Sequence, residues 1–148
     1  MSVYEIEKEI DKIRQENKIL LKNFEKWLEK DGLSKKTIDN HVKNSDFFIN
    51  EFLLYEDAVP ANEGCSQISM FLGYWFIRKA MWASPAAIKE NAASLKKFYT
   101  FLHEVGVIEE KDLKEMNKTI KEEMPDWVAT MDRYDDPEVT DMAEVWDL

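Results

Sequence analysis

Apolar residues recur along this chain at alternating three- and four-residue steps, separated by short polar punctuation. Val3, Ile6, Ile10, Ile13, Leu20, Phe24 and Trp27 follow that spacing, which lines them up on one stripe of a helix. Lys30-Asp31-Gly32 ends this first helix, with Gly32 as a left-handed C′ residue. Ser34 then caps a second helix whose inner face reads Ile38, Val42, Ile49, Phe52 and Leu53. Residues 56–64, with Pro60 among them, read as a loop. A third helix is expected from about Ser66 to Ala83. Its apolar residues, Ile68, Met70, Phe71, Leu72, Tyr74, Trp75, Phe76 and Ile77, surround it almost completely, as in a central core helix.

Ser84-Pro85 is an N-cap followed by an N1 proline. It opens a fourth helix with a buried stripe of Ile88, Ala92, Leu95, Tyr99 and Leu102, closed by Gly106. A fifth helix follows Val107-Ile108, with Leu113, Met116 and Ile120 on one face. Pro125 is expected to break it or to start a new turn through Trp127, Val128 and Met131. Beyond Asp135-Asp136-Pro137 the pattern loosens, with a short amphipathic turn expected at Met142, Val145 and Trp146. No stretch alternates with period two, so no sheet is expected. The fold class is therefore all-α, a bundle of five to six helices.

The first helix carries a further signal. Val3, Ile6, Ile10, Ile13, Asn17, Leu20, Phe24 and Trp27 hold an unbroken a/d heptad register, and Asn17 is its only polar member. A single a-position Asn fixes the register of two-stranded coiled coils. A homodimer through Ile6, Ile10, Ile13 and Asn17 is one expectation, with Glu9 and Arg14 pairing across it; the other is that the fifth helix or the tail of the same chain covers the stripe.

Composition narrows the classes. The 148 residues are 45% hydrophobic and 34% charged, with only 4 Gly and 4 Pro. That suits one packed domain and excludes collagen-like and low-complexity chains. The single cysteine, Cys65, has no internal partner and points to a reducing, cytoplasmic setting. The N-terminus is charged from its fifth residue, unlike a secretory leader. No apolar run approaches the ~20 residues of a membrane span.

Charge is unevenly spread. The net charge is −10, and residues 122–148 hold ten acids against the single base Arg133. Residues 1–121 are nearly neutral. An acidic C-terminal tail can repel nucleic acid, compete for a basic surface, or serve only to keep the chain solvated.

Signatures of catalysis are missing. There is no Gly-x-Ser-x-Gly and no Gly-x-x-x-x-Gly-Lys, and the glycines are too dispersed for a phosphate loop. His41 and His103 each fall on a predicted helix, apart from Cys65 and from each other, and read as partly buried structural histidines. The run Asp132 to Glu138 is acidic but lacks the alternate spacing and turn glycine of a calcium loop. No enzyme, metal or cofactor is expected.

Two segments together carry a family pattern. One is Gly32-Leu-Ser-Lys-Lys-Thr followed by an aromatic-rich helix to Leu53; the other is Ser84 to Ile108, containing Lys97-Phe-Tyr-Thr-Phe-Leu-His-Glu-Val-Gly106. This resembles the N-terminal core-binding domain of tyrosine recombinases and phage integrases, over about residues 22–110. The resemblance implies a SAM-like helical domain that clamps one side of a DNA duplex. It also implies that the outward faces of the second and fourth helices meet DNA. Those faces carry Lys36, Asn40, Lys43 and Phe47 on one, and Lys89, Ala93, Lys96 and Thr100, flanked by Lys97, on the other. The candidate DNA contacts are Lys36, Asn40, Lys43, Lys89, Lys96, Lys97 and Thr100, long basic and short polar groups suited to phosphates. Asp39 and Asp46 dilute the stripe, and an ordinary solvated face is the alternative. Phe47 packs under the fifth helix or lies in an interface.

The chain departs from the family. It has no His-x-x-Arg and no second domain with the strand-cleaving constellation, and residues 109–113 continue as a helix where the family turns into a linker. The expected organisation is an N-terminal helical extension (1–21), a core-binding-like domain (22–121) and an acidic tail (122–148). The expected function is a non-catalytic DNA-binding-type module, with duplex DNA as partner or a DNA-acting protein as the thing regulated. The alternative is a protein-interaction module or inhibitor whose acidic tail mimics nucleic acid on a basic protein partner.

Overall fold

The computed structural model of the chain describes residues 2–134, which form helices and turns with no strand. α1 spans Val3–Lys30, capped at Ser2, whose hydroxyl accepts from the Glu5 amide. Gly32 follows with φ +72, the left-handed conformation its place after the helix demands. α2, Lys35–Asp46, is capped by Ser34 through the Thr37 amide at 3.2 Å. It runs on into a π-helical turn, Phe47–Phe52, closed by the Leu53 amide donating to the Phe48 carbonyl at 3.0 Å.

After the loop comes a composite rod. A 3₁₀ turn, Cys65–Gln67, leads into α3, Ile68–Met70, then a second π turn, Phe71–Trp75, then α4, Phe76–Lys79. The rod ends at Lys79, short of the expected Ala83. Ala80 turns extended (φ −87, ψ 119), and the chain must stay extended at Ser84 to enter the proline-led helix that follows. The rod is central on one side only: Phe71, Leu72, Phe76 and Ile77 are buried, while Met70 and Tyr74 face solvent. α5, Pro85–Glu104, begins at the expected Ser84-Pro85 cap, and its whole expected stripe is buried. Gly106 ends it with φ +80.

α6 spans Glu110–Tyr134 and passes through Pro125 without stopping. The expected break does not occur. Pro125 and Lys121, whose carbonyl loses its partner, both face solvent, while Trp127 and Met131 on the opposite side are buried. Burying those two side chains offsets the ~3 kcal/mol that an interior proline costs. α1 and α6 run unbroken across positions 21–22 and 121–122, where domain boundaries were expected. Residues 122–134 thus belong to the bundle. The calcium-like run lies largely, and the turn at Met142 to Trp146 wholly, outside the described residues.

The main packing contacts join α2 to α5, α5 to α6 and α1 to α2, with the rod seated between the π turn after α2 and the face of α6. The two π turns interlock through aromatic rings. Phe71 meets Phe48 at 4.9 Å, Phe52 at 5.0 Å and Phe47 at 6.2 Å between centroids. Phe47 therefore packs against the rod and Trp82, not under the fifth helix. Gly73 lets α6 approach: a Cβ there would stand 2.7 Å from the Trp127 ring.

Asn17 is 1% exposed and sits inside its own bundle. Its amide donates to the Ile49 carbonyl at 3.3 Å and to Asn50 Oδ1 at 2.8 Å. Ile13 is buried too, Ile10 is half-buried, and Ile6 is exposed. The dimer stripe is corrected accordingly. Ile13 is buried within the chain, and Asn17 is bonded in cis to the π turn rather than covered by the fifth helix or the tail, because a buried amide takes the nearest acceptors the fold supplies. Only its first turns, at Val3 and Ile6, stay uncovered.

Candidate nucleic-acid interface

α2 and α5 pack antiparallel, since residues ascending along α2 meet residues descending along α5. Lys97 lies near enough to His41 to act on its charge. Ser94 Oγ is 2.8 Å from His41 Nδ1 and accepts from Asn44 Nδ2 at 3.0 Å. Asn91 shares a pocket of about 180 Å³ with Lys43, Asn44, Phe47 and Trp82. Burial first, and the Lys97 charge second, hold the His41 imidazole below its ordinary pKa of 6.5. A neutral Nδ1 can accept the Ser94 proton while the same oxygen accepts from Asn44. The buried Ser94 thus ties the two helices at their midpoints.

This pairing sorts the seven candidate contacts. Lys36, Asn40 and Lys43 are exposed on α2, on the side away from the buried Ile38 and Ile49. Asn91, Ser94 and Phe98 face α2 from α5, so Lys97, half-buried beside them, stands on the rim that continues the α2 surface. Lys89 and Lys96 are exposed but lie on the flank of α5 turned away from α2. Thr100 is half-buried and donates its hydroxyl proton to the Lys96 carbonyl at 2.6 Å, an ordinary local bond within a helix. The structure therefore gathers Lys36, Asn40, Lys43 and Lys97 on one outer surface and leaves Lys89, Lys96 and Thr100 off it. Asp39, Asp46 and Glu90 are exposed on the same pair of helices.

Asn44, Asn91 and Trp82 were not marked by sequence reasoning. Asn44 and Asn91 look inward by helical period, and Trp82 was assigned to the third helix. It lies instead on the turn after α4, 56% exposed, against Phe47 at 5.1 Å. Elsewhere, Cys65 is buried, and burial together with Asp112 pushes its thiol up to about 12. No group of three or more His, Cys, Asp or Glu among the described residues is arranged to hold a metal ion. None of the described helices is long and apolar enough to cross a membrane. No family model, curated protein or solved structure matches the chain.

Proposed function

We propose that this chain is a non-catalytic helical binding module, related in plan to a recombinase core-binding domain, that contacts duplex DNA weakly or regulates a DNA-acting partner. The observation that supports this best is the α2–α5 pair. The Ser94 bridge fixes the two helices in register, and three lysines with Asn40 stand on their shared outer surface. Rigid helices carrying lysines at helical spacing suit phosphate contact, which positions a protein on DNA without reading sequence. The net charge of −10 argues for low affinity. Titrating a labelled generic duplex with the full chain at low and moderate salt tests the reading. Binding should be salt-steep, and Lys36→Ala, Lys43→Ala and Lys97→Ala should each reduce the salt slope by about one unit. Lys89→Ala and Lys96→Ala should change it less. Absence of binding at low salt, or equal effects from all five variants, would overturn it.

The second reading, a protein-interaction module whose acidic segment takes a basic site on a partner, draws on two features. These are the acid excess after residue 121 and the exposed aromatic residues Tyr55, Tyr74 and Trp82. A partner captured by the full chain and released by polyanion would favour it over direct DNA contact.

A further inference from the structure

The rod and the loop before it enclose an aromatic groove of about 410 Å³, lined by Phe52, Tyr55, Met70, Tyr74 and Trp75. Tyr55 and Met70 are more than half exposed, an unusual outlay of large apolar surface beside an otherwise closed core. One rim is cationic. The Arg78 guanidinium stacks over the Tyr74 ring at 3.8 Å, and the Lys79 ammonium stands over the Tyr55 ring at 5.4 Å. Glu56 and Asp57, next to Tyr55 in sequence, also line the groove. The exposed rings suit apolar or aromatic side chains, and the Arg78 and Lys79 cations beside Tyr74 and Tyr55 suit acids in the same peptide.

The chain itself carries such a peptide, and it starts in the right place. α6 passes beside the groove, where Trp127 and Thr130 share a surface depression with Met70 and Tyr74. Tyr134, the last described residue, lies close enough to Arg78 to act on its charge. The segment 135–148 then begins with acids, Asp135, Asp136, Glu138 and Asp141, and contains no Lys or Arg. Met142, Val145 and Trp146 follow them. Fourteen residues reach up to about 46 Å when extended, ample for an adjacent groove.

We infer that residues 135–148 dock in cis on this groove, the acids along the Arg78–Lys79 rim and Met142, Val145 and Trp146 against Tyr55, Met70, Tyr74 and Trp75. The inference goes beyond the nucleic-acid reading and does not depend on it. Docking there keeps the negative segment off the α2–α5 lysines.

A nitroxide on Leu148→Cys of the full chain tests it by paramagnetic broadening. Cys65 stays unlabelled at neutral pH, being buried and with its thiol pushed up to about 12. The expected result is loss of amide signal at Tyr55, Met70, Tyr74 and Trp75. Met70→Glu on the solvent-exposed rim, and separately Trp146→Ala, should restore it. Loss at Lys36, Asn40 and Lys43 instead would overturn the inference in favour of a tail held by the lysine surface. Loss confined to a mixture of labelled and isotope-enriched chains would assign the docking to a second copy. Uniform, weak broadening would show the segment undocked, and either of these last two results also overturns it.

Discussion

The α2–α5 surface and the rod groove are built from opposite materials. The first is a polar joint: Ser94, His41 and Asn44 hold two regular helices together, and the outer surface is a mixture of lysines, Asn40 and acids. The second is an aromatic joint: Phe47, Phe48 and Phe52 of one π turn grip Phe71 and Trp75 of the other, and large rings spill onto the surface. A polar joint fixes register through directed bonds and leaves charge outside. An aromatic joint gains its strength from area and tolerates adaptable neighbours. The difference suits the two surfaces to the two contacts proposed above: phosphate positioning on the first, peptide docking on the second.

Removing the centre of the aromatic joint should have the largest effect. Phe71→Ala empties the space between the two π turns and should lower stability by about 3–5 kcal/mol, read as a drop in the denaturation midpoint. Next, Gly73→Ala drives a methyl group against the Trp127 ring and should cost about 1–3 kcal/mol by overpacking. A neutral result would mean that α6 can shift away from the rod. Asn17→Ala strands the buried Ile49 carbonyl and should cost about 1–3 kcal/mol. Its sedimentation mass should equal that of the unaltered chain, since the amide is used in cis; dissociation of a dimer would restore the coiled-coil reading.

The polar joint should respond more gently. Ser94→Ala leaves the half-buried Asn44 and His41 without their shared oxygen, at about 1 kcal/mol. The His41 pH dependence is smaller again. Its folded pKa lies below 6.5, so the unfolded chain binds the proton first as pH falls. Stability should be flat above about pH 6.5 and decline between there and the folded value, then level off. His41→Gln should flatten that part of the thermal-stability curve; an unchanged slope would place the titration elsewhere.

Local signals were readable in the sequence because they act locally. Ser34, Ser84-Pro85, Gly32 and Gly106 each solve a terminus problem within a few residues, and all four do so in the structure. The α5 stripe was legible because its helix is regular and packed on several sides. The π turns were not, since one extra residue per turn shifts Phe48 into the core and Phe47 onto the rod against a 3.6-residue template. Pro125 and Asn17 were misread for a shared reason. Each is unfavourable in its own helix or stripe and is accommodated by a distant partner, Trp127 against Gly73 for one and the Ile49 carbonyl for the other. Of the candidate lysines, spacing kept each off the buried stripe of its helix but could not tell which flank of α5 would turn toward α2.

Amide chemical-shift mapping of the full chain during titration with a short duplex compares both surfaces at once. At low salt the account predicts shifts at Lys36, Asn40, Lys43 and Lys97 that fade as salt rises, with Tyr55, Met70 and Tyr74 unmoved. Shifts confined to the groove, or none on either surface, would contradict it.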